Sequence, residues 1–241
     1  MEIASQKHWT AACSTEALCT RILERHRSAV RVRKPHVAVA NLARIVEATL
    51  KLSNRQGFHA TSLRDLARAS GLSMGGLYSY FDNKTTLLSM ILGEVSATAG
   101  EAMAAAPQHV VDDPPAHLGW LIETHIRLTE AMQPWFVFAY MEAKSFPLAE
   151  RRLAMDSEAA TEAVFADVLR RGVAGGDFAV ADIELTASLI KPLLQDWYVK
   201  RAKYRKRGTT IDRYIEAVSR TVAAAVATPD VKKARKTAII A

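Results

Sequence analysis

From Val39 to Val222 the apolar residues of this chain recur at intervals of three and four, and almost nowhere at two. That spacing returns them to one side of a helix at every turn, so the chain is committed to helices rather than strands. Eight prolines and eleven glycines in 241 residues are too few for the many tight turns of an all-β chain. With 49% hydrophobic and 24% charged residues there is ample material for a core, and disorder of the whole chain is excluded. No run of eighteen uncharged apolar residues occurs, so no membrane partner is expected, and the first twenty residues lack the apolar stretch of a secretory signal. The cysteines Cys13 and Cys19 are neither a disulfide framework nor a zinc spacing; a reducing cytoplasm suits them, and no metal or other cofactor is expected.

The periodicity predicts a helix from Pro35 to the stop at Gly57, with Val39, Leu42, Val46 and Leu50 on one face. Thr61-Ser62 followed by Asp65 is a start signal for a short helix carrying Leu63, Leu66 and Ala67, which Gly71 ends. Ser73 then caps a second short helix, Met74 to about Phe81, and another runs from Lys84 towards Pro107. Beyond Pro114-Pro115 the stripe Leu118, Leu121, Ile122, His125, Ile126 and Thr129 marks the next. Pro134 opens an aromatic-rich helix and Pro147 another, and longer helices follow at about 157–171 and 182–205, the latter kinked at Pro192. Thr210 caps the last, with Ile211, Tyr214, Ile215, Val218 and Val222 facing inward.

Charge divides the chain unevenly. Residues 1–36 carry seven basic and three acidic groups, 37–92 six and three, 93–198 seven and sixteen, and 199–241 twelve and three. A basic first third joined to an acidic middle is the footprint of a polyanion-binding module attached to something else. Four regions are expected: a basic extension at 1–36, a compact module at 37–92, a helical domain at 93–228 and a basic tail at 229–241.

Two short helices joined by a glycine turn make a helix-turn-helix, whose second helix enters the major groove. The segment Thr61 to Phe81 meets its needs, with apolar anchors at Leu66, Leu72 and Leu77, although a plain helical hairpin offers the same spacing. The residues go further. Gly57-Phe58, Thr61-Ser62, Leu66-Ala67, Ala69 to Ser73, Gly75, Leu77-Tyr78-Ser79-Tyr80-Phe81, Asn83-Lys84 and Leu87-Leu88 occur in that order. With them the stretch from about Val37 to Leu92 resembles the DNA-binding domain of TetR/AcrR-family transcriptional regulators.

The resemblance implies an all-α fold: an N-terminal three-helix helix-turn-helix DNA-binding domain followed by a C-terminal helical ligand-binding and dimerisation domain. It implies that Tyr78 touches phosphate, that Tyr80 lies beside the backbone or a base, and that Lys84, Thr61 and Ser62 approach the phosphates at helix starts. Gly75 lets the backbone lie close to the duplex, whereas Gly76 replaces the family's usual larger polar residue. Base reading then falls on Arg64, Met74, Ser79 and Tyr80, with Ser73 at the helix start and Arg64 facing a guanine edge. Tyr78 and Tyr80, two positions apart on a helix, diverge by about 200° and cannot share a face.

Ahead of this module, Ser14 or Thr15 caps a helix with Leu18, Ile22 and Leu23 on one side and Arg21, Arg25 and Arg27 on the other, followed by Arg31, Arg33 and Lys34. It reads either as an arm along the minor groove or phosphates, or as a solvated tail. Six of the seventeen aromatics fall between Trp120 and Phe146, which suits either a core or a pocket for an apolar effector. The expected pocket residues are Trp120, His125, Met132, Trp135, Phe138, Met141, Glu142 and Phe165. A homodimer is expected through the helices at about 157–172 and 182–205, using Leu189, Leu193 and Trp197 with the small face Ala159-Ala160-Ala163-Ala166. No phosphate loop, HExxH or G-x-S-x-G occurs, so no enzyme is expected. The combined expectation is a cytoplasmic, ligand-responsive repressor that binds a roughly palindromic double-stranded operator and is released by a hydrophobic or amphipathic small molecule. The alternative is a helical adaptor or scaffold protein without specific DNA binding or a ligand.

Overall fold

The computed structural model describes residues 12–27, 30–32 and 34–228; the expected basic tail at 229–241, the first eleven residues, residues 28–29 and Arg33 lie outside them. In chain order the helices are α1 (Thr15–Arg25), α2 (Pro35–Gln56), α3 (Leu63–Ser70), α4 (Met74–Leu77), α5 (Lys84–Ala104), α6 (Gln108–Val111), α7 (Pro114–Ala131), α8 (Gln133–Met141), α9 (Leu148–Gly175), α10 (Ile183–Val199), α11 (Arg201–Lys206) and α12 (Ile211–Val226), with a 3-10 turn at Ala143–Ser145. The fold is all-α. Among the described residues the one departure is an isolated antiparallel bridge between Phe178 and Ala227. Two compact units emerge among the described residues, the first falling within 1–98 and 131–157, the second within 99–130 and 158–241. The chain therefore does not divide at a single point near residue 92, because α8 and the start of α9 group with the amino-terminal helices.

In the first unit, α2 begins on Pro35, where a missing amide costs nothing, and stops at Gly57, whose φ of 84° resists any other residue. Its inward face runs Leu42, Ile45, Val46, Thr49, Leu50 and Ser53, the spacing that periodicity predicts. Helix α1 packs on α2 and buries Leu18, Cys19 and Ile22. Both cysteines are free and buried, and burial pushes both thiol pKa values up. Two of the extension's arginines are tied down: Arg21 Nε donates to Glu94 Oε1 at 2.7 Å, and Arg25 pairs with the other oxygen of the same carboxylate. The amino-terminal segment is thus a docked helix where it is described, rather than a loose tail.

The second unit has its own core, centred on Phe165, Leu169, Ile190, Leu194, Trp197 and Val218. Trp197 is fully buried, and its indole N–H donates to Glu130 at 2.9 Å while Arg201 lies 4.4 Å over its ring. It therefore does not belong to an outward seam as expected, and neither does Ala166, which is also buried. Position Trp197 is eight residues, about two turns, beyond Leu189, and the helix has drifted by then so that the indole turns inward. Leu185, Leu189 and Leu193 remain exposed on α10, as do Ala159, Ala160 and Ala163 on α9. Part of the basic run is neutralised, since Lys200 and Lys203 pair with Asp196 and Arg201 with Glu130.

Two boundaries differ from expectation. The helices foreseen after Pro147 merge into one, Leu148–Gly175, because no glycine or proline interrupts the stretch before Gly172. Helix α10 ends at Val199, and Pro192 sits inside it without breaking it. Gly172 is a packing glycine: an added Cβ would lie 2.1 Å from Phe178 Cδ2. Overpacking of this kind costs about 1–3 kcal/mol, so Gly172→Ala should lower the urea midpoint with an unchanged m-value. An unshifted midpoint would mean that the Phe178 ring moves aside freely.

Candidate nucleic-acid interface

Helix α3 starts with a capping box. Ser62 Oγ accepts the Asp65 amide at 3.1 Å, and Asp65 Oδ2 accepts the Ser62 amide at 3.0 Å. The Ser62 hydroxyl also donates to Asp65 Oδ2 at 2.6 Å, and this bond, followed by that from the Ser62 amide, holds the Asp65 carboxyl below its ordinary range. Gly71, at φ 68°, closes α3 in the left-handed conformation that a side chain would resist. Ser73 then caps α4 by accepting the Gly76 amide at 3.0 Å. Leu66 and Leu77 are fully buried and fix the two helices against each other.

Helix α4 is shorter than its sequence pattern suggests, four residues rather than eight. Gly75-Gly76 removes side-chain support at about 1 kcal/mol per glycine, and the chain continues as a turn, with the Tyr80 amide donating to the Leu77 carbonyl at 2.9 Å. The outward surface of this head presents Arg64, Ser62, Ser73, Gly75 and Tyr78, with Met74, Gly76 and Ser79 half-buried beside them. Tyr78 is 42% exposed.

Three expected DNA contacts face elsewhere. Tyr80 is only 1% exposed and its hydroxyl points at the Val37 carbonyl, 3.5 Å away, so it packs the module together. Thr61 is fully buried, its hydroxyl donating to the Gly57 carbonyl at 2.9 Å. Lys84 uses its ammonium on the carbonyls of Phe58, His59 and Thr61, at 2.8, 2.9 and 3.0 Å. It also lies 4.7 Å over the Phe58 ring. Three donors on three carbonyls leave this ammonium no proton for a phosphate in the described geometry, and burial lowers its pKa. Its role is to clamp the turn that leads into α3.

The sequence places Arg31 in the arm, and a bond that spacing does not reveal fixes it beside the head. Its backbone amide donates to the Ser79 carbonyl at 2.9 Å. Its guanidinium is largely exposed, 3.5 Å from Asp82.

The expected effector residues divide between the units. Phe165 and His125 are buried in the second, where His125 Nε2 lies 3.2 Å from Lys191 Nζ, and Trp120 is half-buried against the same core. Phe165 thus serves as core rather than pocket lining. In the first unit Met132 is fully buried, and Trp135, Phe138, Met141 and Glu142 line a cleft of about 530 Å³ against α2.

Two family models match this sequence, that of bacterial regulatory proteins of the tetR family over residues 45–91 and that of the tetracyclin repressor-like C-terminal domain over 111–200. The chain belongs to the TetR family. Among curated relatives of this TetR-family chain, the HTH-type transcriptional regulator HbdR of Aromatoleum sp. is 25% identical over 77% of this chain and 80% of its own length. The HTH-type transcriptional repressor KstR of Mycolicibacterium smegmatis is 32% identical over 40% of this chain, a match spanning 50% of that protein. Among solved structures, the TetR-family regulator PfmR from Thermus thermophilus is 29% identical, with a TM-score of 0.58 over 74% of this chain and 94% of its own. These relatives are transcriptional regulators rather than enzymes. The TetR-family match at 45–91 contains α3, α4 and the capped turn between them, so the surface built above is the family's DNA-binding helix-turn-helix. Among the described residues, no helix is long and apolar enough to cross a membrane.

Proposed function

We propose that this TetR-family protein is a cytoplasmic, ligand-responsive repressor that binds a roughly palindromic operator as a homodimer and leaves it when a hydrophobic or amphipathic small molecule binds. The observation that carries the reading is the surface of α3 and α4 and the turn after it, where Arg64, Ser73, Gly75 and Tyr78 are exposed and Met74 and Ser79 half-exposed while Leu66 and Leu77 are fully buried. Ser62 adds a hydroxyl at the start of α3. The exposed leucines of α10 and alanines of α9 support a dimer, because apolar surface of this kind needs a partner. Two reading heads are then required to span major grooves about 34 Å apart. Repression is supported by likeness to KstR, a named repressor, and an effector by the cleft of about 530 Å³ that Trp135, Phe138 and Met141 line.

The test is retardation of the protein's own upstream DNA against a scrambled competitor. Specific retention is expected; none even at low salt returns the chain to a helical adaptor. Arg64→Ala should cost roughly 1–3 kcal/mol of discrimination between the operator and a single-base variant, whereas Tyr78→Ala should weaken all sequences alike. Equal loss on every sequence with Arg64→Ala would remove that arginine from base reading. For the arm, pinned by Arg31 beside Ser79, Arg31→Ala should reduce the slope of log K against log salt by about 0.9. An unchanged slope would leave that segment a structural strut.

A further inference from the structure

The cleft in the first unit is built from the two elements that flank the reading head's entry turn. Its buried floor is Leu50 and Ser53 from α2 with Trp135 and Phe138 from α8, and Glu47, Lys51 and Glu142 stand around it. Ser53 is 3% exposed, yet its hydroxyl has no hydrogen-bond partner among the described residues. An orphaned buried hydroxyl costs about 1–3 kcal/mol, so its place on the floor of a cavity points to a polar group arriving from outside. The charges specify the sign of that group. Two carboxylates against one ammonium repel an anion, and the aromatic faces that line an anion-repelling site attract a cation.

We propose that this cleft is the receptor for a small hydrophobic cation, a primary amine in its ammonium form, whose N–H groups meet Ser53, Glu47 and Glu142 and whose apolar body lies against Trp135 and Phe138. Its consequence for DNA rests on the regulator reading above; the binding itself does not. The route to the reading head is short. Glu142 Oε2 accepts the Phe58 amide at 2.7 Å, and the Phe58 ring packs edge-on against Phe138, with centroids 5.6 Å apart. The same Phe58 supplies one of the three carbonyls that Lys84 grips ahead of Ser62. A cation that draws Glu142 towards itself loosens the acceptor of the Phe58 amide, and with it the turn on which α3 begins.

The experiment uses the full-length protein and three probes with one hydrophobic body: 3-phenylpropylammonium, 3-phenylpropanol and 4-phenylbutanoate. By calorimetry the ammonium should bind at least tenfold more tightly than the alcohol or the carboxylate. Glu47→Gln, at an exposed position that leaves folding intact, and Glu142→Gln should each weaken the ammonium several-fold. Equal affinity for the three probes, or ammonium affinity untouched by both variants, overturns the site. Hydrogen exchange at the Phe58 amide should speed up when the ammonium is bound, and an unchanged rate overturns the transmission route. Neither readout needs DNA. If the ammonium binds and Phe58 loosens, yet no DNA is retained with or without it, the regulator reading fails while the receptor stands.

Discussion

Replacing Lys191 with methionine is expected to stabilise the protein at neutral pH. The ammonium sits on the inner face of α10, 6% exposed, against His125 from α7 and within the field of Glu158 and Glu162 from α9. Burial brings its pKa down to about 8, against an ordinary 10.5, despite the pull of those two acids. A shift of that size corresponds to about 3 kcal/mol spent on keeping the charge inside. Methionine matches the stem and removes the charge, but it leaves the two acids without their cation, so a net gain of about 2 kcal/mol is expected. For a chain this long that raises the melting midpoint by roughly 2–4 °C per kcal/mol.

The pH dependence supplies an independent signature. A base whose pKa is lowered by folding binds fewer protons in the native state than in the unfolded one, so stability rises with pH between the two values. Wild-type stability should therefore climb from about pH 8 to 10.5, and Lys191→Met should flatten that limb. His125, held well below 6.5 first by burial and then by the Lys191 charge, adds stability that is lost as pH falls below 6.5. A midpoint that drops at pH 7 in Lys191→Met would show that the acids, rather than desolvation, decide the balance.

Removing the Glu94 carboxylate acts in the opposite direction. Its side chain is fully buried and receives Arg21, Arg25 and the Thr98 hydroxyl, so one acid from α5 anchors α1. Breaking a buried pair by deleting one partner costs about 3–5 kcal/mol. Both arginines keep roughly a third of their side chains in solvent and can rehydrate, so Glu94→Ala should cost about 2–3 kcal/mol after that screening. Protease cleavage near Arg25 should appear at concentrations that spare the wild type, because α1 loses its attachment before the core does. Loss of stability without new cleavage would mean that Leu18, Cys19 and Ile22 hold the helix unaided.

The features legible in the sequence are those encoded by neighbours along the chain. The Ser62–Asp65 box, the stops at Gly57 and Gly71 and the cap at Ser73 all act within four residues, and each stands where its signal lies. What is not legible depends on distant partners. Thr61, Tyr80 and Lys84 carry chemistry suited to a duplex, yet Gly57, Val37 and the 58–61 carbonyls claim them. Tyr78 and Tyr80 must diverge, but only packing against α2 decides which turns inward. Glu94 does carry a signal that periodicity alone passes over: an acid in the apolar run Leu92 to Val95, with arginines four apart at 21 and 25 to meet it. Leu148–Gly175 reads as two helices because Ser157 resembles a start, although α-helices tolerate serine where nothing else breaks them.

The sealed thiols of Cys13 and Cys19 make the protein a poor target for electrophiles. Burial keeps both protonated near neutrality, and it is the thiolate that reacts. A cysteine engineered at the half-buried Ser79 would therefore be the one readily alkylated thiol in the chain. A spin label there on each copy of an assembled pair would report, as a single distance, how far apart two reading heads stand with and without effector.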